Sequence, residues 1–381
     1  MNRKKGKKKI LLNACMYTGN PNGNGIYIRE VFNRLSILLD EQAIDYTCFA
    51  YTADGLLNAD NVTVIKFPFQ RSGFNRLVSI HRLLWNVFVL PFIARKYDLV
   101  YSFSSHGTPF FKSQVITVHD LICFEFPSQH KFQYVYTKFL LPIILRSCKR
   151  VVTISGFTKQ MVIKNFSTRP EKILTIYNGG DHLKRQASFP VSYKARLSEL
   201  TNNRPFFLCV GATYPHKNVA AVIRAMENFG DKYALLLTGP ANNYYHTIKL
   251  QLINGSVNNV VLLDYVEDEF LQYLYANCLA NIYISLHEGF GFPPMEAAGY
   301  DKISLLSTKT VLPEIYGDAA WYVDPYDISA IESAMQTIAS PSFDGTLYHE
   351  KYKRLFSTYT WSKNVSNIYT LVLKPLLSGE A

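Results

Sequence analysis

The 381-residue chain lacks the close cysteine pairs from which structural zinc sites and small disulfide frameworks are built. Its six cysteines lie far apart in the sequence and include no C-x-x-C pair. They are Cys15, Cys48, Cys123, Cys148, Cys209 and Cys278. We therefore interpret them as buried thiols of a protein in a reducing compartment.

No uninterrupted apolar run reaches the roughly 18 residues that span a bilayer. The longest run, LLWNVFVLPFIA, contains Asn86 and Pro91. The opening MNRKKGKKKILLNACM resembles a signal peptide, but its apolar part is short, contains Asn13 and is followed by the turn residues GNPN. The sequence thus predicts a cytoplasmic protein whose first strand follows a basic tail.

Acidic residues are scarce, with 29 Asp and Glu against 40 Lys and Arg, which gives a formal net charge of +11. Such a balance favours acidic partners: nucleic acid, phosphorylated ligands or an anionic membrane surface. Six of the cations form an N-terminal cluster: Arg3, Lys4, Lys5, Lys7, Lys8 and Lys9. The cluster predicts peripheral binding at the inner face of the cytoplasmic membrane. The alternative is a solvated tail.

Aromatic residues make up 14% of the chain, which would suit stacking on nucleic acid. They are spread through the predicted strands and helices, however, so core packing accounts for them better. We therefore expect no nucleic-acid partner.

Short apolar strands alternate with helical segments along the chain, and no short-period repeat is present. Such alternation is typical of parallel sheets with right-handed crossovers. We predict an α/β protein of two Rossmann-like, doubly wound parallel-sheet domains facing across a cleft. The predicted divisions are an N-terminal domain 1–180, a polar linker 181–204, a C-terminal domain 205–357, and a C-terminal helix 358–381 that packs back on the first domain.

The segment ISLHEGFGFPPMEAA places two glutamates, Glu288 and Glu296, on either side of a glycine- and proline-rich corner between a strand and a helix. Gly289 and Gly291 permit close approach of a ligand. Pro294 is predicted to open the helix, whose free N–H groups and dipole would attract a phosphate.

Two carboxylates beside a phosphate would repel it, so Glu288 and Glu296 are expected to accept hydrogen bonds from uncharged sugar hydroxyls. The corner as a whole therefore predicts a nucleotide-sugar site. For either glutamate alone, a loop acid in solvent or a complement to the helix dipole accounts for the residue better.

The chain resembles the family 4 glycosyltransferases of GT-B fold, in their bacterial polysaccharide branch. SLHEGFGFPPMEAA is similar to the E-x7-E signature of that family, and NGNGIYIREVFNRL to its glycine-rich first loop and helix. TVHDL, YNGGD, VGATYPHKN and LPEIYGDAAWYVDP resemble further segments of the family, so the likeness covers nearly the whole chain.

The resemblance implies a retaining glycosyltransferase that moves a hexose, mannose among the candidates, from a nucleotide-diphosphate sugar. The implied acceptor is a glycan or lipid-linked oligosaccharide of a cell-surface polysaccharide such as O-antigen or capsule. No cofactor is expected besides the donor substrate. The chain has no Asp-x-Asp triplet of the kind that often holds a cation in metal-dependent glycosyltransferases, so no metal is expected either.

The resemblance also implies roles for single residues. Glu288 would contact the donor sugar, Lys217 the diphosphate, and His119 the donor sugar from the other domain. The implied donor-binding residues are Glu296, at the ribose, and Gly289, Phe290, Gly291, His216 and Gly211. Gly23, Gly25 and Asp120 are assigned to the acceptor cleft.

Some of these residues would also fit a purely structural role. His119 taken alone fits a structural histidine equally well, and Asp120 fits a brace for its loop. His216 stands where many relatives carry an arginine beside the lysine, and it would supply the second cation if protonated.

Two other functions remain open at this point. A GT-B-fold nucleotide-sugar epimerase would need further acid and base residues. The hypothesis of a nucleic-acid-binding protein is supported by the net charge alone. The segment RSGFNRLVSIHRLLWNVFVLPFIARKY combines arginines with a broad apolar face. It would suit membrane docking, a lipid-linked acceptor or a buried crossover helix.

Overall fold

The computed structural model describes residues 7–19, 22–66, 76–182, 185–186, 188–254 and 257–380. The chain forms two compact units. Unit 1 comprises Met1–His182 together with Tyr359–Ala381, and unit 2 comprises Leu183–Thr358. Three of the six cations of the N-terminal cluster, Arg3, Lys4 and Lys5, lie outside the described residues.

Unit 1 contains a seven-stranded sheet of order β3-β2-β1-β4-β5-β6-β7, in which all neighbours are parallel. The central strands are buried on both faces, as apolar runs in a parallel sheet require. The strands are β1 Lys9–Ala14, β2 Asp45–Ala50, β3 Val62–Val64, β4 Leu99–Ser102, β5 Gln114–Val118, β6 Arg150–Thr153 and β7 Ile173–Thr175.

Unit 2 contains a six-stranded parallel sheet of order β10-β9-β8-β11-β12-β13. Its strands are β8 Phe206–Val210, β9 Ala234–Thr238, β10 Val260–Leu263, β11 Asn281–Tyr283, β12 Ser304–Ser307 and β13 Trp321–Val323. Strand order reverses between β1 and β4 in unit 1 and between β8 and β11 in unit 2. Both units are thus doubly wound, and the predicted α/β fold class is confirmed.

Helices connect the strands in both units. In unit 1 they are α1 Gly23–Glu41, α2 Arg76–Leu84, α3 Leu90–Ala94, α4 Ile122–Glu125, α5 Lys131–Val135, α6 Leu141–Ser147 and α7 Gly156–Phe166. In unit 2 they are α8 Val191–Thr201, α9 Val219–Met226, α10 Asn243–Asn254, α11 Asp268–Asn277, α12 Phe292–Ala298, α13 Leu312–Tyr316, α14 Ile328–Ala339 and α15 His349–Thr358. The chain then returns to unit 1 with α16 Trp361–Asn367 and α17 Lys374–Ser378.

In the described part of unit 1, three helices contain a wide π-helical turn that is followed by a proline. The turns are Trp85–Val89, Tyr136–Leu140 and Ile368–Leu373. Proline has no N–H to donate and its ring crowds the carbonyl four residues earlier, so the helix widens locally instead of breaking. Residues 76–94 and 131–147 therefore form two continuous helical segments.

The C-terminal helices are anchored to unit 1 by Trp361. This side chain is fully buried, and its backbone N–H donates to Asp181 Oδ1 at 2.7 Å. Its indole contacts Tyr27 edge-on, with the ring centroids 6.0 Å apart. Gly179 lies directly beneath the tryptophan backbone. Helix α16 is thus part of the core of unit 1 through Trp361.

The segment 181–204, predicted as a polar linker, contains helix α8. Tyr193, Leu197 and Leu200 of this helix pack against the core of unit 2 around Phe270. Their spacing of four and three residues places them on one helix face, a pattern that the many polar neighbours obscure in the sequence.

All six cysteines are buried and none forms a disulfide. The burial matches the sequence interpretation of buried thiols, and it raises the pKa of the Cys278 thiol to about 12. These thiols are therefore protonated at neutral pH.

We expect Gly179→Ala to destabilise unit 1. An added Cβ would lie 2.2 Å from the Trp361 backbone nitrogen and 2.6 Å from its Cγ, so α16 must shift. Overpacking of this kind costs about 3 kcal/mol. Urea unfolding followed by circular dichroism should therefore show a lower midpoint.

Gly345→Ala is the matched control, because the nearest atom to a Cβ there is Phe343 Cε1 at an ordinary 3.8 Å. Its unfolding midpoint should equal that of the unmodified chain. An unchanged midpoint in Gly179→Ala would show that the Trp361 anchor contributes little to stability.

Candidate functional site

The candidate site of unit 2 lies where two neighbouring strands end. β8 and β11 are adjacent and parallel, so the loops that follow them leave the same edge of the sheet. The first loop carries Lys217 and the second carries Glu288. The Leu286 N–H donates to the His216 carbonyl at 2.7 Å and joins the two loops. Topology alone therefore brings these residues together.

The loop after β8 holds Lys217 in one place. Pro215–Lys217 form a short 3₁₀ turn, after which Asn218 takes a left-handed conformation with φ of 57°. The Asn218 side chain donates to the Pro325 carbonyl at 2.7 Å. Gly211 begins the loop in a left-handed conformation, with φ of +69°, which glycine adopts without strain.

Lys217 and Glu288 form an ion pair in which Lys217 Nζ lies 2.6 Å from Glu288 Oε1. The side chains are only 14% and 11% exposed. Lys217 Nζ also donates to the Tyr283 hydroxyl at 2.6 Å and lies 4.5 Å from the centre of that ring. A largely buried pair of this kind depends on such additional partners to offset the loss of hydration.

The pair fixes the charge state of Glu288. Burial on its own would raise the pKa of this carboxyl, but the Lys217 ammonium, and after it His216, lower it below its usual 4.5. A depressed pKa contributes stability above pH 4.5, and this contribution is lost as the pH falls through the lower folded value. At neutral pH Glu288 is therefore a carboxylate able to accept hydrogen bonds from hydroxyls.

Glu296 has a tyrosine partner of its own. It lies on α12, and the Tyr275 hydroxyl of α11 donates to Glu296 Oε2 at 2.8 Å. Burial and then the Glu296 carboxylate raise the pKa of Tyr275 well above 10, so its phenol stays protonated and donates. Both glutamates of the signature are thus oriented by neighbouring side chains.

The glycine-rich corner departs from the prediction at the start of its helix. α12 begins at Phe292, so Pro293 and Pro294 occupy its second and third positions instead of Pro294 the first. Neither proline has an N–H, and the helix is only seven residues long. The start of α12 therefore has fewer free backbone N–H groups to bind an anion than the sequence predicted. The N–H groups of the preceding loop would have to supply the remaining hydrogen bonds.

Gly291 makes the corner possible. Its φ of 87° is a left-handed conformation, and a Cβ there would lie 3.0 Å from Leu312 Cδ2. Its carbonyl accepts a hydrogen bond from the buried Tyr316 hydroxyl. Phe290 is buried beside Phe292, with ring centroids 5.3 Å apart, and Gly289 is half-buried. The backbone of the corner is thus held from several sides.

The remaining predicted residues lie in unit 1. His119 follows β5, and its Nε2 donates to the Phe103 carbonyl at 2.8 Å, which leaves Nδ1 as the acceptor nitrogen. Burial lowers the pKa of His119, so the ring is neutral. Asp120 Oδ1 accepts the Ile122 N–H at 3.1 Å, which braces the loop.

Gly23 and Gly25 lie in the first turn of α1. The side chain of Asn22 caps this helix by accepting the Gly25 N–H at 2.9 Å. That N–H is therefore already engaged. Asn20 and Pro21, which directly precede this helix cap, lie outside the described residues.

Sequence reasoning missed three tyrosines of unit 2, namely Tyr275, Tyr283 and Tyr316. Their rings are core, as the aromatic content suggested, but their hydroxyls bind the signature loop or its lysine. One of the three could have been found from the sequence. Tyr283 lies inside the apolar strand run NIYIS, and a buried phenol requires a hydrogen-bond partner.

Two family models match the chain. The model described as glycosyl transferases group 1 matches residues 194–353, and that of glycosyltransferase family 4 matches residues 29–182. Among curated relatives, an O-antigen chain mannosyltransferase of Salmonella typhimurium, RfbU, is 31% identical over 61% of this chain and 63% of its own length. An O-antigen chain mannosyltransferase B of Escherichia coli is 28% identical over 82% of this chain and 85% of its own.

Solved structures share the fold at low identity. Sucrose-phosphate synthase from Thermosynechococcus elongatus matches 98% of this chain and 100% of its own, with a TM-score of 0.74 at 17% identity. Anabaena HepE, in complex with UDP and glucose, matches 96% and 100%, with a TM-score of 0.67 at 17% identity. The two doubly wound sheets and these solved structures show the GT-B fold, and the family models and the relatives show that the chain belongs to the family 4 glycosyltransferases.

Proposed function

We propose that this protein is a retaining mannosyltransferase that moves mannose from a nucleoside-diphosphate sugar to a glycan or lipid-linked acceptor in cell-surface polysaccharide synthesis. The observation that carries the proposal is the Lys217–Glu288 ion pair, at the strand edge where doubly wound sheets bind ligands. The names of the Salmonella and Escherichia coli relatives support mannose as the sugar. The Anabaena complex with UDP and glucose supports a nucleotide-sugar donor.

Lys217 would bind the donor diphosphate. The incoming phosphate oxygens compete with Glu288 for the ammonium, so donor binding exchanges one charged partner of Lys217 for another. Negative charge grows on the departing diphosphate during the reaction, and a fixed cation and loop N–H groups stabilise that charge. This role requires no metal ion, and we propose that activity persists in EDTA.

Glu288, released from Lys217, would accept hydrogen bonds from the sugar hydroxyls. Its carboxylate charge strengthens those bonds as positive character develops at the anomeric carbon. Glu296, held by Tyr275, would accept the ribose hydroxyls of the nucleotide. The two glutamates then bind the two sugars of the donor.

We propose front-face attack as the chemical step. The acceptor hydroxyl oxygen bonds to the anomeric carbon on the side of the leaving group, while the bond from that carbon to the phosphate oxygen breaks. The bonding electrons stay on the phosphate oxygen, which takes the proton of the hydroxyl. The products are a glycoside of unchanged anomeric configuration and a nucleoside diphosphate.

The function is tested by incubating the purified protein with UDP-, GDP- and ADP-linked sugars, with and without a glycan acceptor. Release of nucleoside diphosphate should require acceptor and be fastest with a mannose donor, and NMR of the product should show a retained configuration. A sugar isomer formed without acceptor would instead identify an epimerase. An inverted linkage would exclude the front-face step.

We expect Lys217→Met to weaken nucleoside-diphosphate binding about tenfold to a hundredfold. One charge-assisted hydrogen bond is lost, worth roughly 1.5–3 kcal/mol. Binding of the uncharged nucleoside should not change, since it has no phosphate. Isothermal titration calorimetry with the diphosphate and the nucleoside measures both.

Lys353→Met is the control for this substitution, because Lys353 pairs with Glu350 on the surface of the same unit. Its diphosphate affinity should equal that of the unmodified protein. Equal losses of diphosphate and nucleoside affinity in Lys217→Met would indicate a structural role for the lysine.

We expect substitution of the two signature glutamates by glutamine to change different kinetic constants. Glu288→Gln should lower kcat about tenfold to a hundredfold with a smaller change in KM, because the lost interaction is strongest in the transition state. Glu296→Gln should mainly raise KM and weaken binding of the bare nucleotide. Steady-state kinetics and nucleotide titrations on folded protein separate the two outcomes.

Glu267→Gln serves as the matched control, since Glu267 is a surface carboxylate of unit 2 that pairs with Arg196. It should leave both kinetic constants unchanged. If Glu288→Gln instead loses nucleotide affinity while Glu296→Gln keeps it, the roles assigned to the two residues are reversed.

A further inference from the structure

The helical segment 76–94 of unit 1 is apolar on its outer face as well as its inner one. Its outer face includes Phe88, 62% exposed, and Phe92, 65% exposed, together with Leu84 and Val89. Apolar side chains of this size are ordinarily buried, and a contiguous exposed group of them marks an interaction site. The segment is thus buried on its inner face, as expected of a crossover helix, but its outer face is exposed.

The inner face fixes the segment to the sheet. Arg82 is buried, and its Nε donates to the Cys15 carbonyl at 3.0 Å. The Asn13 side chain donates to Asn86 Oδ1 at 2.8 Å. The window Leu77–Ala94 is long and apolar enough to cross a membrane by length and composition, but these polar contacts hold it flat against unit 1.

A second segment, 131–147, repeats the arrangement. Phe132 and Phe139 are 56% and 64% exposed on its outer face, and Val135 lies between them. Its inner face packs into the core around Leu141 and Ile144. The spacing from 132 through 135 to 139 is that of one helical stripe.

One loop joins the two segments. The His106 carbonyl accepts a hydrogen bond from Asn13, the residue that also binds Asn86 of the first segment. The His106 ring stacks on Tyr136 of the second segment, with centroids 4.7 Å apart. The Tyr136 hydroxyl donates to the Ser105 carbonyl at 2.8 Å. Both segments therefore border the same loop.

The charge of the protein is concentrated in the same unit. Unit 1 has 26 Lys and Arg against 12 Asp and Glu, a formal charge of +14, whereas unit 2 has 14 against 17, a formal charge of −3. The sequence stretches 61–97 and 126–170, which contain the two segments, have no acidic residue at all.

Cations also sit beside the exposed rings. The Arg95 guanidinium lies 5.3 Å from the centre of the Phe92 ring. Lys138 Nζ lies 5.7 Å from the centre of the Phe139 ring. Long basic side chains at the rim of an apolar face can reach lipid headgroups while the rings enter the acyl region.

We propose that the outer faces of segments 76–94 and 131–147 form one docking surface for an anionic lipid bilayer. The apolar stripes enter the headgroup boundary, and the surrounding cations bind the anionic headgroups. Two copies of a unit with a charge of +14 would repel each other across this surface. Nucleic acid could stack bases on single rings, but it offers no continuous apolar region for the exposed aliphatic side chains Leu84, Val89 and Val135. A bilayer complements both the charge and the apolar character.

The test is flotation of the full-length protein with vesicles of phosphatidylcholine and phosphatidylglycerol, and with vesicles of phosphatidylcholine alone. The test variant changes Phe88, Phe92, Phe132 and Phe139 to serine. Its control changes Leu250 and Ile253 of α10 to serine, residues that are 60% and 67% exposed in unit 2. Because all these side chains are exposed, thermal unfolding should be unaltered in both variants.

The unmodified protein and the control should bind the anionic vesicles in a salt-sensitive manner. The four-serine variant should bind them at least tenfold more weakly. Equal binding by the four-serine variant, or no vesicle binding by the unmodified protein, would overturn the proposal.

Two further measurements distinguish this docking surface from the basic tail and from a protein interface. Deletion of residues 1–6 should leave most of the vesicle binding intact, and complete loss on that deletion would assign the binding to the basic tail. Analytical ultracentrifugation should show the same mass for the unmodified protein and the four-serine variant. A dimer that the four substitutions dissociate would make the surface a protein interface instead.

Discussion

The ion pair between Lys217 and Glu288 links the fold of unit 2 to its chemistry. It exists because β8 and β11 are adjacent and parallel, so their loops leave the same edge of the sheet. The two charges neutralise each other, and the Tyr283 hydroxyl is a further partner of Lys217. In the proposed reaction, the two phosphates of the donor would bind Lys217 and its sugar hydroxyls would bind Glu288. Under the proposed function, this contact would be replaced when the donor binds.

Most of the fold could be predicted from the sequence, because each strand of a doubly wound sheet is a short apolar run followed by a polar turn. All thirteen strands in the described part of the chain coincide with such runs. Helix α8 was missed because its three core residues are separated by polar ones. The start of α12 was predicted two residues too late, at Pro294, because nothing in the local sequence distinguishes Phe292 from the loop.

The site was predicted less completely than the fold. The sequence singled out the two signature glutamates by their pattern and Lys217 by the family resemblance, and the structure brings Lys217 and Glu288 together. The partners Tyr275, Tyr283 and Tyr316 were not, because a tyrosine in an apolar run is indistinguishable from a core ring until its hydroxyl is located. Likewise, the sequence showed a broad apolar face on residues 76–94 but not which part of it the sheet would leave exposed.

The return of the chain to unit 1 determines the order in which the protein assembles during synthesis. Unit 2 is contiguous, so it has all of its residues once Thr358 has left the ribosome. Unit 1 begins first but finishes last, because the space between Tyr27 and Gly179 is filled only when Trp361 arrives. Until then its apolar interior stays open, although unit 2 already has all of its residues. The domain that is synthesised first is therefore the one most dependent on protection from aggregation while translation continues.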